Sequence, residues 1–437
     1  MAWLWDVASY ESDWATEVNE SMGLTADIIA MGTELTTGAS VDTNSAWLSA
    51  RLVELGVPTR RHVTIADDLS TIVREVRESA QSARVVVMTG GLGPTADDMT
   101  REALAMAADE SLVFDEESFK AIAAFYASLG RQMPETNRRQ AMRPASAEVL
   151  VNEWGTAPGV RIRIGGADMF SLPGVPREMK AMFAAYVGPA VEAMDGRGHV
   201  SVRVLRTFGT GESNLAEQIS DLMEVGRNPA VGTTASEGVI SVRVVASGDS
   251  EDVARRLAQN DIDEVRKRLG VLVYGEDDDS LASVVGKRLT ELGRTVSTAE
   301  SCTGGLLGTM LTDVPGSSAY YVGGFIPYSY EQKNESLGIP MALIKEHGAV
   351  SEPCAEAMAE RCRALTKSDY ALAITGIAGP GGGTEDKPVG LVYIALASRD
   401  GVQVKECRFS ERMNREVIRD RSARTALNML RRKLCEA

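Results

Sequence analysis

The sequence predicts an α/β protein of three units: a doubly wound parallel sheet, a small α+β module and a second α/β domain. Its 437 residues are too many for one hydrophobic core. From residue 26 to about 98, short all-apolar runs alternate with helically spaced segments, the pattern of a parallel sheet covered by helices on both faces. The alternation restarts near 280, after a stretch of different rhythm.

Residues 26–31 (Ala-Asp-Ile-Ile-Ala-Met) read as a buried strand. Segment 43–55 places Trp47, Leu48, Leu52 and Leu55 on one side of a helix, which Gly56 and Pro58 end. A short strand is predicted at 63–65, a helix at 70–81 with Ile72, Val73 and Val76 inward, and a second buried strand at 84–89. Ligands of such sheets bind beyond the carboxyl ends of the strands, where loops 32–38 and 90–98 fall. The middle module reads as strand 202–209, helix 212–223, strand 238–247, charged helix 250–269 and strand 271–274, with a polar seam at Asp277-Asp-Asp-Ser. Then come helix 280–292, strand 294–299, a helix from Gly304, helix 352–366, strand 369–375, strands 389–398 and 402–409, and a basic helix 412–434. The domain boundaries expected are 25–195, 198–275 and 278–437.

Residues 1–24 stand apart. The first 22 hold five acids, no Lys or Arg, and three of the five tryptophans (Trp3, Trp5, Trp14). A signal peptide needs a basic start and an apolar middle, so the segment reads as a mis-called start before Met22 or a disordered extension; a tryptophan-anchored docking segment is the alternative.

A formal charge of −15 argues against general nucleic-acid binding. Five cysteines with no CxxC pair point to reduced thiols in a cytoplasm. Three histidines far apart in sequence argue against a histidine-rich zinc site. No apolar run is long enough to span a membrane.

The stretch 299–333 gathers Ser301, Ser317, Ser318, Tyr328 and Lys333 in a glycine-rich βα region. Serine attacks at neutral pH only when a base takes its proton, and a desolvated lysine can be that base. Each residue alone has an ordinary explanation, since Ser301 suits a helix N-cap and Ser317-Ser318 a loop. Thr375-Gly-Ile-Ala-Gly-Pro is a second glycine loop after a buried strand. In the first unit, Gly90-Gly-Leu-Gly-Pro-Thr-Ala-Asp-Asp suits a phosphate at a helix N-terminus, or equally a tight turn with Asp98 as N-cap. Asp97 and Asp98 repel a phosphate directly but suit a divalent cation that bridges phosphates. Glu34 is a further ligand candidate, with a solvated glutamate as the alternative. Asp67 and Asp68 read as loop residues, Leu172-Pro-Gly-Val-Pro as a structural corner, and His347 as a C-terminal capping residue.

Taken together, Thr298-Ala-Glu-Ser-Cys-Thr-Gly-Gly, Pro315-Gly-Ser-Ser, Tyr328-Ser-x-Glu-x-Lys333, His347-Gly-Ala-Val-Ser-Glu, Thr375-Gly-Ile-Ala-Gly-Pro and Lys387-Pro-Val-Gly resemble the C-terminal domain of the CinA family, the nicotinamide mononucleotide (NMN) deamidase module. Met31-Gly-Thr-Glu-Leu, Thr43-Asn44, Thr89-Gly-Gly-Leu-Gly-Pro-Thr-x-Asp-Asp, Thr100-Arg-Glu, Pro134 with Asn137-Arg138, and Leu172-Pro-Gly-Val-Pro are similar to the family's other half. That half is molybdopterin-binding-like in fold and is linked to ADP-ribose pyrophosphatase activity. The resemblance covers about 26–437.

It implies a cytoplasmic, homodimeric enzyme acting on NMN and ADP-ribose, with a divalent cation (Mg, Mn, Co or Ni) for the N-terminal domain and no cofactor for the deamidase domain. Ser318 is the nucleophile it implies, with Lys333 as base and Tyr328 relaying a proton; Ser301 orients the lysine or attacks instead. Thr303, Gly304 and Gly305 would bind substrate, Thr375, Gly376 and Gly379 the oxyanion or phosphate, and Arg415 and Arg419 the phosphate, unless they merely face solvent. In the first unit Gly90, Gly91, Gly93 and Thr95 would bind substrate and Asp97, Asp98 and Glu34 the metal. The middle module would link the halves. A non-catalytic competence or DNA-damage adaptor and a pterin-binding protein are the alternatives. The chain departs from the family pattern at Asp42, at Thr36-Thr37, at Tyr330 and in the glycine-rich loop 380–384.

Overall fold

The computed structural model describes residues 23–436, so the acidic segment 1–22 lies outside the described residues. Those residues divide into two compact units. One runs through Val202 and adds Val225–Pro229 and Val245–Ala258; the other takes Arg203–Glu224, Ala230–Val244 and the chain from Gln259 onward.

The first unit is built on strands β1 (Ala26–Met31), β2 (Thr59–Ile65), β3 (Val85–Thr89), β4 (Leu112–Phe114), β5 (Met142–Pro144), β6 (Glu148–Leu150), β7 (Gly159–Ile164) and β8 (Ala167–Leu172). Six of them form one sheet in the order β2-β1-β3-β8-β7-β6, and β4 pairs with β5. β1 is parallel to β2 and β3, and β3 to β8, whereas β7 runs antiparallel to β8 and β6 to β7. The apolar strands need covers on both faces. Ala26, Ile28, Val85 and Val87 pack under Leu48 and Leu52 of helix Thr43–Glu54, while Ile29, Met31, Val86 and Met88 pack under Ile72 and Val76 of helix Leu69–Ser82.

β2 extends four residues earlier than the predicted strand, because β1 supplies ladder partners from Ala26 to Met31 to a segment whose Arg60 and His62 face outward. The β7–β8 hairpin has no counterpart in the predicted elements, although Val160, Ile162 and Ile164 alternate inward against the arginines at 161 and 163.

Strands β9 (His199–Phe208), β10 (Ala230–Ser236), β11 (Val239–Gly248) and β12 (Val273–Glu276) form a four-stranded sheet in the order β10-β11-β9-β12, with helix Glu251–Leu269 between β11 and β12 in sequence.

The last sheet contains β13 (Val296–Glu300), β14 (Tyr321–Phe325), β15 (Tyr370–Gly376), β16 (Leu391–Ser398) and β17 (Gly401–Arg408) in the order β14-β13-β15-β16-β17. β13 is parallel to both β14 and β15, and β16 and β17 return antiparallel. Helices Leu281–Leu292, Leu306–Thr312 and Arg415–Cys435 cover one face through Val285, Leu289, Leu307, Ile418 and Leu427. Helix Glu352–Thr366 covers the other through Met358, Ala359 and Cys362. The three parallel strands therefore end at one edge, where Ser301, Pro327 and Gly376 follow. No described helix is long and apolar enough to cross a membrane.

Packing under this sheet is tight at Gly286, where an added Cβ would stand 2.6 Å from the Tyr320 hydroxyl and 2.7 Å from its ring. Gly286→Ala should lower the stability of the C-terminal unit by about 1–3 kcal/mol through overpacking. A thermal melt compared with Gly308→Ala, whose added Cβ meets the hydroxyl end of Tyr321 at 2.8 Å, checks that the ring contact rather than the loss of glycine is responsible.

Candidate active site

β13 ends in Glu300, which is 1% exposed. Its carboxylate turns back to accept the backbone N–H groups of Gly305 (3.0 Å), Leu307 (3.0 Å) and Gly308 (2.8 Å). Three otherwise orphaned amides at the start of helix Leu306–Thr312 are thereby satisfied. The carboxylate also ties off the turn 301–305, in which Gly304 (φ 60) and Gly305 (φ 94) take left-handed backbone angles.

Ser301 sits at the head of that turn. The Lys333 Nζ lies 3.0 Å from Ser301 Oγ and donates to the Pro327 carbonyl at 2.8 Å. Lys333 comes from the short helix Tyr330–Leu337 and is only 1% exposed. Burial pushes its ammonium below the ordinary lysine range and favours the free amine, while the neighbouring Cys354 and Cys302 act weakly the other way. Cys302, next to the serine, points into the core, and burial pushes its thiol up to about 11, which leaves it unionised and a poor nucleophile.

Ser318 is not brought to this lysine. In the parallel register Val296 pairs with Tyr321 and Ala299 with Phe325, so residues before Tyr321 lie at the amino edge of the sheet. Ser318, exposed in the turn Ser317–Ala319, is separated from the Ser301 edge by the length of β14, roughly 13 Å. Within one chain the lysine's partner is Ser301.

Tyr328 is 59% exposed, and its hydroxyl receives a hydrogen bond from Arg415 Nη2 at 3.0 Å rather than touching Ser301 or Lys333. Arg415 Nη1 donates to the Gly379 carbonyl at 2.8 Å, and Arg419 Nη2 to the Thr303 carbonyl at 2.7 Å. The two arginines therefore fasten the glycine loops around the serine from the start of the last helix. The amides of Gly304 and Gly305 are occupied, on the Ser301 carbonyl (3.1 Å) and on Glu300. The Thr375 hydroxyl donates to the Ala349 carbonyl at 2.7 Å. None of these three predicted groups is free as an oxyanion donor. Thr303, fully buried, has a hydroxyl without a partner among the described residues.

In the first unit the predicted Glu34, Gly90, Gly91, Gly93, Asp97 and Asp98 line a second pocket, of about 400 Å³, together with Asp67, a loop residue by its sequence; Thr95 is not in its lining. Asp98 does not cap the following helix, which starts at Thr100 behind Met99. Its two oxygens accept from Gly93 N (2.7 Å), Thr95 N (2.8 Å) and Thr95 Oγ1 (2.5 Å), closing the glycine loop. Gly90 N is bonded to the Leu172 carbonyl at 3.1 Å. Asp67 accepts from Thr33 N and Thr33 Oγ1, both at 2.8 Å. The donor set does not fit a protein-only metal cage: among the described residues no three His, Cys, Asp or Glu side chains are gathered to hold an ion.

Three groups that shape these sites were not singled out in the sequence. Glu300 stands inside the quoted 298–305 run, where a buried acid before a glycine turn is the signal. Arg101, 2% exposed and with burial pushing its guanidinium down to about 10, donates to the Leu92 carbonyl under the glycine loop. Arg139 reaches the carbonyls of Thr95 and Asp98.

Family models match each part of the chain. The CinA C-terminal domain matches 278–434, the "Probable molybdopterin binding domain" 27–193, and the "Damage-inducible protein CinA KH domain" 202–275. A CinA-like protein of Parasynechococcus marenigrum is 44% identical over 410 residues, 93% of this chain and 98% of its own length. The chain belongs to the CinA family. A CinA-like protein of Dictyoglomus thermophilum is 41% identical over 408 residues, 93% of this chain and 98% of its own. The crystal structure of competence/damage inducible protein CihA from Agrobacterium tumefaciens is 44% identical, covers 36% of this chain and 93% of its own, and has a TM-score of 0.34.

Two outcomes follow from the CinA C-terminal geometry. Glu300→Ala should lower stability by roughly 2–3 kcal/mol, since three amides lose a charged acceptor; denaturant unfolding of the variant measures it. Lys333 binds its proton more weakly folded than unfolded, where its value is 10.5. Unfolding therefore takes up a proton in the window below 10.5, and stability should rise with pH through that window. Lys333→Met should flatten this rise in unfolding curves recorded at a series of alkaline pH values.

Proposed function

We propose that the C-terminal domain hydrolyses the carboxamide of NMN, giving nicotinic acid mononucleotide and ammonia. The observation that carries this reading is the buried Lys333 amine 3.0 Å from Ser301 Oγ. A hydroxyl beside a desolvated amine suits attack on an unactivated amide. Ser301 gives its proton to the free amine of Lys333 as Oγ bonds to the carboxamide carbon. The tetrahedral oxyanion collapses, the C–N bond breaks, and the Lys333 ammonium returns the proton to the departing ammonia. Water then attacks the acyl-serine ester while Lys333 takes its proton; the acid leaves and Ser301 recovers its hydrogen. Throughout, the Pro327 carbonyl holds the amine in place. With the Gly304 and Gly305 amides occupied, the side-chain donors around the turn are Thr303 and the outer N–H groups of Arg415 and Arg419. We assign the NMN phosphate to the arginines, whose planar forks match it.

The second activity belongs to the N-terminal domain. We propose that its pocket at the 90–98 loop takes ADP-ribose and that the domain acts as an ADP-ribose pyrophosphatase, a reading supported by the placement of this loop at the carboxyl edge of the parallel strands. The assay is ADP-ribose incubated with the protein and Mg²⁺, Mn²⁺, Co²⁺ or Ni²⁺, with and without EDTA. Survival of ADP-ribose under every condition sinks this half of the proposal.

For the amidase, ammonia release from NMN should fall by on the order of 1,000-fold or more in Ser301→Ala and in Lys333→Met, and change little in Ser318→Ala. The kcat/KM of the wild type should increase with pH as the depressed Lys333 ammonium loses its proton. Full activity in Ser301→Ala would reassign the nucleophile, and no ammonia from the wild type would end the reading.

A further inference from the structure

A larger cavity, about 1400 Å³, lies in the C-terminal unit and includes neither Ser301 nor Lys333. Its walls are the glycine loop 209–211, the hairpin tip 236–238, Lys405 of β17, and the side of helix Arg415–Cys435 that carries Arg421, Asn428 and Arg432.

The charges on these walls are unevenly matched. The acids have partners: Glu212 accepts from Thr233 Oγ1 at 3.1 Å, Glu237 pairs with Arg424 at 2.7 Å, and Glu436 lies 3.6 Å from Lys433. Lys433 also meets Asp400 at 3.2 Å, and Arg431 donates to the Val271 and Val273 carbonyls. Lys405, Arg421 and Arg432 have no hydrogen-bond or ion-pair partner among the described residues. The Arg421 Nε is shut off from solvent with no acceptor, and it stands 3.3 Å from where a Cβ would be at Gly238 (φ 80), so the bare glycine is what admits it.

An N–H closed off from water without an acceptor costs the desolvation of that group. Three unopposed cations lining one cavity are out of keeping with a chain of charge −15. The Nε stays closed to any ligand, but an anion in the cavity would oppose the charges of Lys405, Arg421 and Arg432 through the ends of their side chains. Guanidinium forks match phosphate oxygens, and the volume exceeds what one phosphate fills. The overall negative charge opposes a long nucleic-acid backbone and favours a compact ligand. We propose that this cavity binds a small molecule bearing two or more phosphate groups, held by Arg421, Arg432 and Lys405. The site is separate from the amidase centre and does not rest on the reading of that centre.

Isothermal titration of the full chain with inorganic tripolyphosphate, with and without saturating NMN, tests it. One saturable site per chain should persist in the presence of NMN. Arg421→Met should weaken it roughly tenfold or more, and Arg432→Gln, at an exposed position, should weaken it as well. If Arg421→Met fails to fold, Arg432→Gln and Lys405→Gln decide. The proposal is overturned by the absence of saturable binding at millimolar probe, by unchanged affinity in the folded variants, or by loss of binding when NMN is present, which would put the probe at the amidase site. Binding of a single-stranded oligonucleotide without binding of tripolyphosphate overturns it too.

Discussion

Everything in the C-terminal domain turns on the burial of one lysine. A charged ammonium at 1% exposure with no carboxylate partner among the described residues carries a desolvation cost of several kcal/mol. Burial therefore pushes the ammonium toward giving up its proton. Its Nζ donates to the Pro327 carbonyl and to the Ser301 hydroxyl oxygen, two neutral acceptors that set no anion against the charge. An ammonium would press a third N–H against the same two groups. The burial that makes Lys333 uncomfortable as a cation is what suits it to the proposed role of base for Ser301.

Holding that amine in place requires three chain turns to meet at one edge of a sheet. β13 contributes Ser301, the segment after β14 contributes Pro327 and Lys333, and β15 runs into the Gly376–Gly379 loop that Arg415 fastens. Because both pairings are parallel, all three turns emerge on the same side. Glu300 then fixes the direction in which the first turn leaves. Its carboxylate receives three amides that a neutral side chain could satisfy only in part.

The same topology explains what could and could not be seen in the sequence. The parallel sheets were legible, because strands buried on both faces, such as 26–31 and 369–375, are apolar at most positions, and the one charge inside the first, Asp27, is buried against Arg60 and Arg61. The β7–β8 hairpin went unread although its alternation is regular, and β14 went unread because Gly323 and Gly324 dilute its apolar signal. That omission decides the serine question. Ser318 lies closer to Lys333 in sequence than Ser301 does, but β14 carries the chain from one edge of the sheet to the other between them. The lysine and Ser301 were legible as chemistry and as possible partners; which serine stands beside the lysine was not, since proximity across 32 residues depends on register. The N-cap reading of Asp98 failed for a related reason: only the fold of the loop shows that its carboxylate faces backward onto Gly93 and Thr95.

The two glycine loops share one solution. In each, a carboxylate adjoining the loop takes up its amides: Asp98 for 93–95, Glu300 for 305–308. In each, arginines take up its carbonyls: Arg101 and Arg139 in the first unit, Arg419 in the last. Glycine-rich turns are conformationally costly to order, and these contacts order them before any ligand arrives. A loop whose amides are already paired is a poor cradle for an anion but a rigid frame for side chains. In the proposed reading, recognition in both domains falls to the side chains that the loops hold still. In the last domain, Ser301, Lys333 and the outer N–H groups of Arg415 and Arg419 are the groups to which the proposed chemistry is assigned, and the glycine turns fix where they stand.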